Sequence, residues 1–416
     1  MPLTPDQSAL VRGTVSFLRT HGETIASRFY ASLLRAHPDL NNLFNSANQA
    51  NGRQPRALVS VILAYAASPA HTYELIPRLE RVCNKHCSLG ITPDQYDLVG
   101  KYLLEAFGEV LGEKWTPSLR GAWENAYKVL ANMLIGREAQ LYSKFGSWKG
   151  FRFFRIEQKI CEADDFYSFH LSPSDRKPLP SFSPGQYVSL RIDVPSIGYL
   201  QSRQYALSEC PRKDYYRISV KRDRGIQANQ GIEAFHLKPG LVSNLLIDKY
   251  EVGDLVSLSH PAGGFQFDVD VCGTGPIVFI SAGAGATTLL SILNNVVERE
   301  DDRPLSWIHC SSRKAPFEEH VRCLARARDN FTIRLFQSQL ADLEYRCGSA
   351  HGEGLKMDFQ KLERKTLHLD HGATEYYICG PEAFTKDMSA SLLGQGVDRA
   401  RVKYEWFTTG ELQLAA

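Results

Sequence analysis

The sequence predicts a multidomain chain: an all-α domain over residues 1–146, an antiparallel β-barrel over 151–268 and an α/β domain with a doubly wound parallel sheet over 273–416. Three observations predict it. Apolar residues recur at helical period through the first third of the chain and switch to period two beyond Gly146-Ser147-Trp148-Lys149-Gly150. From about Gly275 onward, strands alternate with helix-compatible segments, the pattern of a parallel sheet. The turn Gly283-Ala284-Gly285-Ala286 follows an apolar strand directly, at the place where such sheets keep their ligands.

Composition narrows the class of function. A length of 416 residues allows several domains, each with its own core. The net charge of +2, with Lys and Arg scattered rather than clustered, gives no footprint for nucleic acid. Nine cysteines, odd in number and without paired spacing, fit free thiols in a reducing compartment. No apolar run approaches the ~20 residues of a membrane span, and Met1-Pro2-Leu3-Thr4-Pro5 carries no signal-peptide core. The expectation is a cytoplasmic monomer without an integral membrane segment.

In the first domain, Thr4-Pro5-Asp6-Gln7 is a cap with proline in the first turn, after which Leu10, Val11, Val15 and Leu18 run at helical period. Ile25, Phe29, Leu33 and Leu34 extend the pattern to a stop at His37-Pro38. The stretch from Ala57 to Ala66 is apolar almost all round, so this helix should be buried on more than one side and run against the helix carrying His86. There Leu75, Leu79, Val82 and His86 share one inward stripe. Gly90 stops that helix, Thr92 caps the next and Pro93 opens it, which brings Tyr96 back toward the imidazole. Residues 98–111 and 115–142 supply two more helices, the second ending in Arg137-Glu138. His86 admits two readings: a core histidine satisfied by a backbone carbonyl, or an axial metal ligand whose far nitrogen is held by another group. Cys83 and Cys87 flank it, but the spacing is not that of covalent haem attachment, so a haem would be bound non-covalently.

The barrel is predicted from strands at 151–156, 166–171, 187–192, 215–222 and 255–258, separated by Pro, Gly and Ser turns. The parallel sheet is predicted from strands at 276–281, 305–309, 331–336 and 375–379, with a helix at 287–297. Pro184-Gly185-Gln186-Tyr187, Arg203-Gln204-Tyr205 and Gly240-Leu241-Val242-Ser243 offer an aromatic, an arginine and a hydroxyl at a helix start, the groups a flavin dinucleotide needs. Alone, each is equally a turn or an edge strand. Cys379-Gly380-Pro381 ends a strand where a nicotinamide ring could lie, or is a plain turn.

In combination and order these segments resemble the flavohaemoglobins, a globin fused to a ferredoxin-reductase-like module, over the whole chain. The resemblance rests on Leu43-Phe44-Asn45, Asn48 to Gly52, Gln54, Lys85-His86, Gln95-Tyr96, Val129 to Asn132, Arg137-Glu138-Ala139, Phe154-Arg155-Ile156, Pro184 to Tyr187, Arg203 to Tyr205, Val242-Ser243-Asn244, Ile280 to Gly283, Cys379-Gly380-Pro381 and Tyr404-Glu405. It implies a globin haem domain, an FAD barrel and an NAD(P) sheet domain, with haem b, FAD and NADH or NADPH as cofactors. The activity implied is nitric oxide dioxygenation, in which nitric oxide and oxygen become nitrate at the expense of NAD(P)H. The alternative is a diverged relative with a slow reductase, acting as gas sensor or store, or as an oxygenase on another nitrogen compound. Carried over residue by residue, His86 is the proximal iron ligand, with Tyr96 and Glu138 as its relay. Tyr30 and Gln54 are distal hydrogen-bond donors, with Leu58 and Phe44 packing at the haem. Lys85 and Glu405 tune the two cofactors. Tyr187, Arg203, Gln204, Tyr205, Ala206, Ser243, Trp406, Phe407, Thr408 and Thr409 hold FAD, while Gly283, Ala284, Gly285, Ala286, Thr287, Thr288, Cys379 and Gly380 take the nicotinamide nucleotide.

Three departures stand out. Members usually carry Ser where this chain has Ala206, Gln-Thr-Pro where it has Ala286-Thr287-Thr288, and Cys-Phe-Gly-Pro where it has Trp406-Phe407-Thr408-Thr409. The expectation is slower hydride transfer, relieved in part if Ser208, two residues on from Ala206, faces the same side of the strand.

Overall fold

A computed structural model describes residues 2–69, 75–146, 148–228, 235–268, 273–337, 359 and 362–407. The first unit contains helices α1 (Pro5–Gly13), α2 (Val15–Ala36), α3 (Ser46–Ala50), α4 (Arg53–Ala67), α5 (Ile76–Leu89), α6 (Pro93–Leu111) and α7 (Pro117–Ser143). Their ends are set by local chemistry. The Thr4 side chain caps α1 and Gln7 reaches back to the Thr4 amide, and Thr92 and Gln95 repeat the same capping box at α6. Gly90 ends α5 at φ 76°, a left-handed conformation glycine adopts without strain. One apolar core joins all of these helices except the short α3.

The expected pairing of α4 with the His86 helix is not the main packing of either helix. α4 packs chiefly on α2, and α5 chiefly on α7. Between α4 and α5 lies a cavity lined by Leu58, Val61 and Ile62 from one side and Val82 and His86 from the other. An apolar helix face buries itself equally well against a neighbouring helix or an enclosed ligand space, and periodicity does not distinguish the two.

The barrel sheet contains β1 (Phe151–Ala163), β2 (Phe166–Pro173), β3 (Tyr187–Val194), β4 (Tyr199–Ala206), β5 (Tyr216–Lys221) and β8 (Leu255–Ser259), in the order β4-β3-β8-β1-β2-β5 with every pairing antiparallel. A bridge between Leu207 and Ile218 brings the two edges together and closes it. A separate ribbon is formed by β6 (Ile226–Ala228) and β7 (Phe235–Leu237), and α8 (Leu241–Lys249) packs beside β3, β4 and β5. β1 runs seven residues past the predicted end at Ile156, through two register irregularities that let its polar stretch keep pairing with β2.

The last unit is an all-parallel sheet of β9 (Ile277–Ala282), β10 (Leu305–Ser311), β11 (Phe331–Gln337), β12 (Glu375–Gly380) and β13 (Val402–Trp406), ordered β11-β10-β9-β12-β13. Helices α9 (Ala286–Glu298), α10 (Glu318–Arg326) and α11 (Glu382–Gly394) connect or flank these strands. Every residue of β9 and β10 is buried, as expected for strands covered on both faces. Strand order reverses between β9 and β12, which opens a crevice beyond their carboxyl ends. Among the described residues no helix is long and apolar enough to cross a membrane.

Candidate active site

α5 reaches its glycine stop immediately after His86, and α7 passes behind it. His86 Nδ1 stands 2.9 Å from Tyr96 Oη and 2.9 Å from Glu138 Oε1, and Tyr96 Oη donates to the same Glu138 oxygen at 2.5 Å. Glu138 is only 4% exposed. Burial, then the Glu138 charge, pushes the Tyr96 phenol far up, so it stays protonated and can only donate to the carboxylate. Nδ1 therefore carries the other proton of this cluster, which leaves the lone pair on Nε2. Among the described residues Nε2 has no hydrogen-bond partner, and His86 lines the cavity. An imidazole held this way at one nitrogen is a basic ligand at the other.

Across the cavity stand Tyr30 from α2 and Gln54 from α4, close enough for the Gln54 side chain to oppose the effect of burial on the phenol. Burial raises the Tyr30 phenol, keeping it a neutral donor. Phe44 meets the Tyr30 ring edge-on at 5.5 Å and 82°. Leu58 completes this wall.

The cavity continues past the helices onto the barrel and sheet. Its volume is about 1,830 Å³, beyond the roughly 300–1,000 Å³ of an ordinary ligand pocket, so it has room for two large groups. Tyr187, Arg203, Gln204 and Ala206 line the barrel side; Thr288, Glu405, Trp406 and Phe407 line the sheet side; Lys85, next to His86 on α5, lines the cavity too. Arg203 Nη1 donates to Ser202 O at 2.8 Å and makes no ion pair with a carboxylate among the described residues. Burial lowers its guanidinium below the ordinary range. The Lys85 ammonium is pulled down to about 8 by burial, then by Arg81 and Arg203. Glu405 is raised by burial, against the pull of Arg81. A guanidinium that meets neutral acceptors but no carboxylate, facing a large cavity, is how an anionic ligand site looks.

Several expected site residues do not line this cavity. Tyr205 packs against the barrel core rather than lining the cavity. Ser243 Oγ accepts from the Asp223 amide at 3.3 Å. Ser208 is fully buried, with its Oγ 2.7 Å from Ser219 Oγ and donating to Arg217 O at 3.3 Å. The expected replacement of the missing hydroxyl by Ser208 thus fails: β4 ends at Ala206, and the closing bridge at Leu207 turns Ser208 into the serine cluster. Gly283, Ala284, Gly285, Ala286, Thr287, Cys379 and Gly380 sit at the crevice beyond β9 and β12 and do not line the large cavity; Thr288 alone of that turn does. A Cβ at Gly285 would fall 1.9 Å from Cys379 O, so only glycine allows the turn to press on β12. Thr408 and Thr409 lie outside the described residues.

Other groups at the site were missed. Arg81 Nη2 lies 3.1 Å from Glu405 Oε1 and donates to Trp406 O at 2.6 Å, which fastens α5 to β13. Asn84 Oδ1 accepts from the Gly263 amide at 2.9 Å, and Ser189 Oγ donates to Ser88 Oγ at 2.9 Å, which fastens α5 to the barrel. A signal existed in the sequence: Arg81, Asn84, Lys85 and Ser88 form a polar stripe at helical spacing beside the apolar one.

Residues 27–134 match the globin family model, and residues 279–390 match that of the oxidoreductase NAD-binding domain. The chain is 36% identical to the flavohemoprotein of Bordetella parapertussis over 98% of its own length and 99% of that protein. The crystal structure of flavohemoglobin from Malassezia yamatoensis, with bound FAD and heme, aligns at a TM-score of 0.79 and 25% identity over 98% of this chain and 100% of that one. The flavohem-like FAD/NAD-binding domain of nitric oxide dioxygenase from Vibrio cholerae aligns at 0.50 and 29% identity, over 62% of this chain and 98% of that domain.

Proposed function

Because this chain belongs to the flavohaemoprotein family, we propose that it is an NAD(P)H-dependent nitric oxide dioxygenase using haem b and FAD. Residues 1–146 then form the haem unit, 151–268 the FAD barrel and 273–416 the nicotinamide unit. The observation that carries the reading is one continuous cavity with the His86–Tyr96–Glu138 cluster and the Tyr30–Gln54 pair at one end and Arg203, Tyr187 and Glu405 at the other.

Both groups fit. Nε2 of His86 is a lone pair facing an apolar space, and Arg203 is a half-buried cation without a carboxylate partner among the described residues, as an iron porphyrin and a pyrophosphate respectively require. Haem b, when bound, supplies the iron at which oxygen and nitric oxide meet, and FAD supplies the conversion of a hydride into single electrons. Around them, Glu138 and Tyr96 hold the His86 proton on Nδ1. Tyr30 and Gln54 offer their hydrogen-bond donors on the far side, and Leu58 with Val61 keeps water out. Lys85 and Arg81 place positive charge between the two sites.

Electron bookkeeping sets the stoichiometry. Oxidation of nitric oxide to nitrate releases three electrons and dioxygen takes four, so each nitric oxide needs one electron. One NAD(P)H therefore serves two: 2 NO + 2 O2 + NAD(P)H gives 2 nitrate, NAD(P)+ and a proton. The test is nitric oxide consumption by purified protein in air with NADH and then NADPH, with nitrate and oxidised nucleotide counted. A 2:1 ratio of nitrate to oxidised nucleotide, at many turnovers per haem, is expected. Flavin reduction without nitrate formation overturns the reading and leaves a haem protein with another substrate.

A further inference from the structure

Thr288 is the third residue of α9 and 1% exposed. Its Oγ1 is buried and has no hydrogen-bonding nitrogen or oxygen among the described residues, yet the residue lines the large cavity. Its predecessor behaves differently: Thr287 Oγ1 donates to Ala284 O at 2.8 Å, the ordinary use of a threonine in a first helical turn. A hydroxyl left unmet on a buried wall is a standing cost unless something in the cavity meets it.

Its neighbours place it. Gly285 presses the turn onto Cys379, and the Thr288 hydroxyl stands beside the Cys379 thiol. Cys379 pairs in register with Glu405 across β12 and β13. Glu405 stands close enough to Tyr187 for its charge to raise the phenol, and Tyr187 pairs with Ala206 across β3 and β4. Thr288 on the sheet and Ala206 on the barrel thus line one cavity, with Thr288 at the switch point where a nucleotide enters. Ala206 brings no polar atom to that corner, and Ser208 faces away.

We infer that the Thr288 hydroxyl is the polar contact at the point where nicotinamide meets flavin, replacing from the sheet side the hydroxyl that position 206 lacks on the barrel side. The inference rests on the reductase function proposed above. The step it serves is hydride transfer: the C4–H bond of the dihydronicotinamide breaks with its electron pair and an N–H bond forms at flavin N5, so NAD(P)H becomes NAD(P)+ and FAD becomes FADH−. Only the placement of the two rings depends on the hydroxyl.

The experiment uses full-length protein loaded with haem and FAD, as Thr288→Val, Thr288→Ser and the double variant Thr288→Val/Ala206→Ser. Valine matches threonine in shape and removes only the hydroxyl. Anaerobic stopped flow measures flavin reduction, and titration with a non-reducible tetrahydronicotinamide analogue measures the long-wavelength charge-transfer band, which needs no turnover. Thr288→Val should slow reduction about 10²-fold, the common loss for one catalytic hydrogen bond, and weaken the band. Thr288→Ser should keep both, and Ala206→Ser in the double variant should restore both, because a barrel hydroxyl cannot repair a packing fault in α9. Equal rates in Thr288→Val and wild type overturn the inference, as does a loss that neither hydroxyl restores. Normal flavin reduction by wild type without nitrate formation rejects the dioxygenase reading alone.

Discussion

The two ends of the cavity are built on opposite principles. Beside His86 the polar groups meet one another: His86 Nδ1, Tyr96 and Glu138 share hydrogen bonds, although Tyr65 Oη and Trp123 Nε1 farther along the wall are buried without a partner among the described residues. At the flavin end Arg203 makes no ion pair among the described residues, Lys85 is pulled down to about 8, and Thr288 Oγ1 is buried without a nitrogen or oxygen partner. The His86 cluster is therefore preorganised by the chain itself, while Arg203 and Thr288 at the flavin end are left for a ligand to complete. A ligand that brings only one coordination position needs the opposite nitrogen fixed beforehand, whereas a dianionic dinucleotide brings acceptors for several donors.

Breaking the coordinating nitrogen should have the largest effect. His86→Ala abolishes haem uptake while FAD stays bound, since separate folding units hold the two; the haem and released-flavin absorbances of one preparation measure both. Haem at full stoichiometry in this variant would place the ligand elsewhere.

Next in size is Arg203→Met. Hydrogen bonds to charged groups contribute roughly 1.5–3 kcal/mol, so FAD should bind about ten- to a hundredfold more weakly. The protein without FAD should be no less stable, because Arg203 is strained by burial in the absence of an anion. A loss of stability equal to the loss of affinity would mean the flavin end is preorganised too.

The matching change at the haem end behaves in the reverse way. Glu138→Ala strands the buried Tyr96 hydroxyl and the His86 Nδ1 proton, so the protein without haem should lose about 1–3 kcal/mol in urea unfolding. An unchanged midpoint would show that the cluster forms only around a ligand.

Smaller is Tyr30→Phe, which removes one donor to a negatively polarised oxygen ligand. Oxygen release should quicken by about tenfold, the equivalent of 1.4 kcal/mol. An unchanged off-rate in stopped flow would mean Gln54 alone meets the ligand.

A pH slope probes the flavin end in a different way. Lys85 is held at about 8, below its ordinary 10.5. Between these values the unfolded chain binds the proton more readily than the folded one, so Lys85 adds a rise in stability as pH climbs through that window. Lys85→Met should flatten the urea midpoint between pH 8 and pH 10 relative to wild type. Parallel slopes in the two proteins would show Lys85 solvated and outside the flavin end's unpaired set.

Local chemistry was legible in the sequence because it acts within a few residues. The caps at Thr4 and Thr92, the left-handed stop at Gly90, the stripe that turns His86 inward, and the period changes near 146–150 and 275 follow from helix and strand geometry alone. They determined three folding units, an inward-facing imidazole and a glycine turn on a parallel sheet, and the resemblance they supported led to the family. Contacts that close over long separations were decided by packing. The 52 residues between His86 and Glu138, and the 325 between Arg81 and Trp406, carry no periodic trace. α4 and α5 look like partners in sequence, but each satisfies its apolar face against another helix and the cavity, an arrangement that only the whole bundle specifies. Alternation likewise predicts that Ala206 and Ser208 share a face, yet barrel closure at Leu207 ends the strand between them. Side-chain direction at a strand end depends on what the next strand does, and that is a property of the closed barrel rather than of the segment.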